Sequence, residues 1–146
     1  MALTPENYSE VLDETVVAEE EVEGGVEPSK TWAIDFENGT IGTFIDEGEA
    51  LRQFIRKTIM TERAKYAIYS DDYGCELKDL IGDTEVTEDL LDSELPRMVY
   101  EALAYDDRIE DTQTSFTRSG DKAFISVTVV PVDTDVEITE EVEVNV

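Results

Sequence analysis

Apolar residues recur at two different periods along this chain, and the change of period divides it into helical and extended parts. In the stretch DEGEALRQFIRKTIM, Leu51, Phe54, Ile55, Thr58 and Ile59 fall at i, i+3, i+4, i+7 and i+8, the stripe of an amphipathic helix. Asp46 with Glu49 three residues later predicts a capping box at its start. Arg52, Arg56 and Lys57 lie on its polar side and toward its C-terminal end, where cations favour the helix dipole. A second helix is expected in SELPRMVYEALAY, with Leu95, Met98, Val99, Ala102 and Leu103 on its apolar side. Ser93 as N-cap places Pro96 in the first turn, where its missing N–H matters little. A start at Thr87 would put Pro96 in the interior at a cost of about 3 kcal/mol, so only a short lead-in turn is expected before Ser93.

Elsewhere the period is two. KTWAIDFENGTIGTFI predicts two short strands around Asn38-Gly39, a pair suited to the positive φ of a hairpin turn. TQTSFTRSGDKAFISVTVVPV predicts two more around Ser119-Gly120-Asp121, with Ala123, Ile125, Val127 and Val129 sharing one face. In DVEITEEVEVNV, Val136, Ile138, Val142, Val144 and Val146 take one parity, and Glu137, Thr139, Glu141 and Glu143 the other. Glu140 interrupts the apolar parity and predicts a bulge, or the point where the strand leaves the core. Such a final strand is either an edge protected by charge or an edge held open for another chain's strand. The fold expected is a small single α+β domain: an N-terminal β-hairpin, two main helices and a C-terminal antiparallel or mixed sheet. No internal repeat is visible.

Composition adds bounds. The 146 residues suit one domain, large enough to bury roughly two thirds of its unfolded surface. MALTPENYSE has no basic stretch followed by an apolar one, so no secretory signal is read there. The longest run without a charge, Ala123 to Val132, has ten residues, against the roughly 20 a membrane helix needs. A soluble protein, or part of a soluble assembly, is expected.

Charge changes the picture more. Thirty-seven acids against eleven bases give −26, with no histidine. A field of that sign repels nucleic acid and anionic membranes. It is compatible with three roles: solubility, as in a high-salt cytoplasm; attraction to a basic partner; or imitation of DNA phosphates. Residues 1–29 hold nine acids and no base, leaving −17 for residues 30–146. Their few apolar residues cannot offset ordering entropy, so residues 1–29 read as an acidic flexible arm and residues 30–146 as the folded body. The arm either folds onto a neighbour or serves as a solvating tail. Five bases fall between Arg52 and Lys65, and the last sixteen residues have six acids and no base. A body polarised in this way suits head-to-tail contacts.

TERAKYAIYSDDYGCELKDLIG, residues 61–82, concentrates the chemistry. A nucleophilic thiol needs a base beside it and a lowered pKa. Asp71, Asp72, Glu76 and Asp79 around Cys75 would instead raise it. One cysteine and no histidine are too few for zinc and exclude an intrachain disulfide framework. DDYGCELKD does not follow the EF-hand pattern. With 37 acids, carboxylate pairs at glycosidase spacing arise by chance. No Gly-rich phosphate loop is present. Tyr69 and Tyr73 are expected to pack this loop on the core. Gly74 permits a turn, Cys75 is a small buried apolar residue, and Leu77, Leu80 and Ile81 anchor a short helix closed by Gly82.

IMTERAKYAIYSDDYGCELKDLIG resembles the central motif of the contractile-tail baseplate wedge family, the sheath initiators of phages and phage-derived tail particles. The residues that carry the likeness are Thr61, Glu62 and Arg63, then Tyr73, Gly74, Cys75, Leu77, Asp79 and Leu80. YDDRI (Tyr105, Asp106, Asp107, Arg108 and Ile109) is similar to the family's Glu-Pro-Arg triplet flanked by Tyr and Ile, with Asp107 in place of the proline. The body from about Lys30 to Val144 resembles the branch typified by the PBSX defective prophage.

The resemblance implies a structural protein without cofactor, in about six copies around the tail tube at the virion tail baseplate, assembled in the host cytoplasm. Its partners would be the tail sheath protein and other baseplate wedge proteins, with neither nucleic acid nor membrane bound. Tyr105, Asp106, Asp107, Arg108, Glu62 and Arg63 would contact wedge neighbours. The strand carrying Val136, Ile138, Val142 and Val144 would accept sheath strands. The family's "lysozyme-like" label follows an activity attributed to one member, and nothing in these residues supports carrying it over. Arg108 is suited to a bidentate carboxylate pair, either across an interface or within the chain, tying the helix end to the next strand. A carboxylate-pair peptidoglycan hydrolase and an acidic DNA mimic are the alternative functions.

Overall fold

The computed structural model describes residues 29–83 and 85–145. The expectation for residues 1–29 thus falls outside it apart from Ser29, and Val146 falls outside it as well. The elements are strands β1 (Thr31–Asp35) and β2 (Thr40–Ile45), helices α1 (Glu47–Met60), α2 (Leu77–Gly82) and α3 (Glu88–Leu103), then strands β3 (Ile109–Ser119), β4 (Lys122–Pro131) and β5 (Ile138–Asn145). β1 and β2 form an antiparallel pair, and the second sheet has the order β3-β4-β5. Both pairings in it are antiparallel, so the class is α+β with no parallel strand in either sheet. Among the described residues no helix is long and apolar enough to cross a membrane.

The hydrophobic core lies between one face of the three-stranded sheet and the helices. Every second residue of β4 (Ala123, Ile125, Val127, Val129) is fully buried. Burial of each larger side chain in this row contributes about 1.5–3 kcal/mol. α1 packs along β5, α3 along β3, and α1 and α2 both touch α3. The α1 stripe meets them with Leu51, Ile55, Thr58 and Ile59 buried and Phe54 partly so.

Several local expectations are corrected. The first hairpin turns through residues 36–39, since Asp35 pairs with Thr40. The Asp35 carboxylate accepts the N–H groups of Glu37 and Asn38, both at 3.0 Å, and organises a longer turn in which Gly39 alone has φ of +65°. Asp46 caps α1 but does not form a reciprocal box with Glu49. Its side chain accepts from Glu47 N–H and bonds the Ser29 hydroxyl, which itself accepts from Glu47 N–H at 2.9 Å.

α3 begins at Glu88, with Thr87 as N-cap and Pro96 inside the helix. The extra turns bury Leu91 at 2% exposure, the Thr87 hydroxyl accepts from Leu90 N–H at 3.3 Å, and the carbonyl that Pro96 leaves without a helical donor belongs to exposed Asp92. Burial and capping together offset the proline. Ser93 is an interior residue that donates to Leu90 O at 3.0 Å.

Gly82 is the last residue of α2 with no positive φ, and Asp83 caps the helix in an extended conformation. Tyr69 lies against Tyr73 with ring centroids 4.5 Å apart but stays exposed rather than entering the core.

β5 carries no bulge, because its register with β4 runs unbroken from Ile138 to Asn145. Glu140 keeps the inward parity, and its carboxylate Oε1 lies 2.8 Å from Arg56 Nε of α1. That Nε–H is not aimed along a good hydrogen-bond direction, so charge more than a directed bond holds the pair. The guanidinium also donates to Glu141 O at 3.2 Å. An opposite charge from the helix, rather than a kink in the strand, accommodates the acid. Val136 precedes the strand and is exposed, while Ile138, Val142 and Val144 are buried.

β1 is held to α1 by one side chain. Gln53 donates from Nε2 to Trp32 O at 2.8 Å and accepts at Oε1 from Ile34 N at 2.6 Å. An amide presents a donor and an acceptor as a neighbouring strand would, so Gln53 covers part of the outer edge of β1.

Candidate functional site

The turn after α3 gathers the Tyr105–Arg108 residues. Ala104 N–H closes the helix on Tyr100 O at 2.8 Å, and Ile109 N–H returns to Asp106 O at 3.1 Å. Within this tight reversal the Asp106 carboxylate accepts three bonds from Arg108: backbone N–H at 3.0 Å, Nε at 2.8 Å and NH2 at 2.7 Å. The side chains of Arg108 and Asp106 are 18% and 10% exposed. The bidentate pair therefore forms within the chain, and it ties the end of α3 to β3. Arg108 O also accepts from Val132 N–H at 3.0 Å, joining the turn to the end of β4.

Burial alone would push the Asp106 carboxyl up, but the Arg108 bonds and charge overbalance it and hold the group below the ordinary carboxylate range. Phe54 of α1 sits beneath, with the guanidinium carbon 5.3 Å from its centroid and Tyr105 edge-on at 6.0 Å. Burial, with Tyr73 and Asp106 nearby, pushes the Tyr105 phenol up to about 12. Asp107 faces solvent.

Glu62 and Arg63 lie at a second place, where the ends of the 61–75 loop meet. Glu62 bridges Cys75 in parallel sense, Cys75 N–H donates to Thr61 O at 2.8 Å, and Arg63 Nε donates to Gly74 O at 3.3 Å. Glu62 pairs with Lys65, and that bond holds its carboxyl below the usual range. These residues close a loop whose apex exposes Tyr66, Ile68 and Tyr69. Cys75 is 1% exposed, and burial pushes its thiol up from the usual value. Alkylation of native protein at pH 8 is expected to be about a hundredfold slower than that of a free thiol, with full reaction only on unfolding. A timed maleimide assay checks this, and a fast native reaction would show an accessible thiol.

The third group is β5. Ile138, Val142 and Val144 face the core, so the part of β5 available to another strand is its outer backbone edge, with Glu141 and Glu143 exposed. Val136 lies apart, 70% exposed in the β4–β5 connection. The structure thus separates the expected interface residues into a turn, a loop closure and a sheet edge.

Two grooves flank the Tyr105–Arg108 turn. One, of ≈ 290 Å³, runs between Ser29–Thr31, the α1 residues Gln53, Phe54 and Lys57, and Asp106 with Arg108. A larger one, of ≈ 950 Å³, lies beyond Arg108 between the start of α1 and the β4–β5 connection. The periodicity that assigns Phe54 to the core and Lys57 to the polar side of α1 does not reveal that Phe54 sits under Arg108 or that Lys57 lines the smaller groove. Among the described residues no group of three or more Asp, Glu or Cys side chains is placed to hold a metal ion.

Residues 30–134 match the family model described as contractile injection system sheath initiator. The chain is 42% identical over 142 residues to phage-like element PBSX protein XkdS of Bacillus subtilis strain 168, covering 96% of each chain. A crystal structure titled putative tail lysozyme from Geobacter sulfurreducens superimposes with a TM-score of 0.57 at 19% identity, over 67% of this chain and 89% of that one. That last likeness is one of fold.

Proposed function

The chain belongs to the sheath initiator family of contractile injection systems, and from that premise we propose that it joins baseplate wedge proteins to the tail sheath and templates the first sheath ring by strand exchange. Membership places it among the structural parts of a contractile tail, in a family described by an assembly role rather than by a reaction. The observation that carries the finer reading is the strand order. β4 is central, and among the described residues β3 and β5 each pair with a strand on one side only, Glu141 O of β5 also accepting from Arg56 of α1. A sheath strand adding to β5 would gain main-chain bonds in register without disturbing Ile138, Val142 or Val144, which stay in the core. Exposed Glu141 and Glu143 discourage indiscriminate pairing and favour a strand with basic residues.

In this reading Tyr105, Asp106, Asp107 and Arg108 meet a wedge neighbour. Asp106 and Arg108 give the turn its shape, and exposed Tyr105 and Asp107 make the contact. Glu62 and Arg63 set the geometry of a loop that offers Tyr66, Ile68 and Tyr69 to a neighbour. About six copies around the tail tube, at the tail baseplate, complete the proposal.

Deletion of the gene in the source organism tests it. Electron microscopy is expected to show baseplates and tubes without sheath, with sheathed tails restored by the gene in trans. Normally sheathed tails from the deletion strain would overturn the reading.

A further inference from the structure

We propose that the ≈ 950 Å³ groove between the start of α1 and the β4–β5 connection is a docking surface for a basic, partly apolar segment of another protein, one that sets lysine or arginine on either side of an aliphatic or aromatic side chain. One wall is the first turn of α1 and the other is residues 131–138. The walls meet at the floor, where a Cβ on Gly48 would stand 3.4 Å from Ile138 Cδ1. Leu51, Pro131 and Ile138 line it with apolar surface.

Val136 lines the same groove and is 70% exposed. A local turn sets it there: Thr134 Oγ1 accepts from Val136 N–H at 2.9 Å, and the residue stays outside the buried row of Ile138, Val142 and Val144. An aliphatic side chain held in water beside an apolar groove, with polar residues around it, is what a protein contact surface presents.

The rim sets the chemistry of the occupant. Asp46, Glu47, Glu49, Asp133 and Glu137 line the groove against Arg52 and Arg108. Arg108 is matched to Asp106. Asp46 is engaged as the cap of α1, bonded to Ser29, with the Lys30 charge acting on it. That leaves Glu47, Glu49, Asp133 and Glu137, and among the described residues none of the four forms an ion pair. Against these four carboxylates stand Arg52 and the start of α1, whose dipole is equivalent to roughly half a positive charge. The balance is negative, so a cationic segment is attracted and an acidic one repelled. The smaller groove has the opposite balance, with Lys30, Lys57 and Arg108 against Asp106 alone.

Fluorescence anisotropy of a labelled probe peptide, Lys-Leu-Arg-Phe-Lys-Leu-Arg, titrated with the full-length protein tests this. Glu47→Gln, Glu49→Gln, Asp133→Asn and Glu137→Gln together are expected to weaken binding about tenfold at physiological salt. Glu85→Gln, Asp89→Asn, Asp92→Asn and Asp121→Asn remove the same charge from exposed carboxylates that line neither groove. That set is expected to weaken binding by no more than about twofold, because charges beyond a Debye length are screened. Val136→Ser, at an exposed position, is expected to weaken it about threefold. Equal losses from the two charge-matched sets would show that net charge alone holds the peptide and would overturn the proposal. So would undiminished binding by Val136→Ser, or no binding of the peptide at all. Sedimentation of the free protein as a dimer that the groove substitutions dissociate would assign the groove to a second copy and overturn it too. The test uses no sheath or baseplate protein, so its failure leaves the assembly role untouched.

Discussion

Gly74→Ala is expected to lower the unfolding free energy by about 3 kcal/mol and the thermal midpoint by roughly 10 °C. Gly74 has φ of +101°, a conformation side chains rarely adopt. A Cβ there would also stand 2.7 Å from Thr61 O, 3.1 Å from Arg63 N and 3.2 Å from Arg63 Cα. All three are backbone atoms, so no rotamer change relieves the clash. The strand-like contact between Glu62 and Cys75 would have to open, and with it the bond from Cys75 N–H to Thr61 O.

Gly120→Ala is the matched control, since Gly120 has φ of +61° and nothing within 4 Å of the added atom. Only the left-handed conformation is penalised there, at about 1 kcal/mol. Urea unfolding of both variants gives the comparison. Equal losses would mean that the close approach of the loop ends contributes nothing.

Gly74 illustrates what could be read from the sequence. A turn was legible because glycine and aromatic residues sit between charged stretches, but its partner Thr61 lies thirteen positions away and no local pattern announces it. The α1 stripe and the β4 alternation were legible for the opposite reason: burial of a continuous face imposes a period on neighbouring residues. The start of α3 is not legible in the sequence because the proline penalty is local, whereas the burial of Leu91 that offsets it alongside the Thr87 cap depends on tertiary packing. Glu140 looked like a defect in its strand for the same reason. Its counter-charge, Arg56, is on another element, so the polar residue on an apolar face was visible and its solution was not. At the candidate site the residue types of the Tyr105–Arg108 turn were legible, but not the position of Phe54 beneath them, which follows from how α1 crosses the end of α3.

Arg108→Ala is expected to cost about 2 kcal/mol at neutral pH, because it strands a largely buried Asp106 carboxylate that has lost its fork. The sign of the pH dependence separates this from lost packing on Phe54. In the wild type the Asp106 carboxyl is held below its ordinary value of 3.8. Its contribution is thus fully present above that value and is lost as pH falls through the lower, folded one. Without Arg108 the upward push of burial remains and the largest opposing influence is gone, so neutralising Asp106 relieves the variant while it harms the wild type. The stability gap between the two is therefore expected to narrow from pH 7 to pH 3, as measured by urea unfolding. A gap that stays constant would assign the loss to the Phe54 contact alone.

Asp106→Asn combined with Arg108→Ala removes the stranded charge and is expected to recover at least half of the lost stability. If the turn is also the surface a wedge neighbour reads, this folded double variant will be missing from purified tails. Its presence there at wild-type copy number would confine the pair to holding α3 against β3.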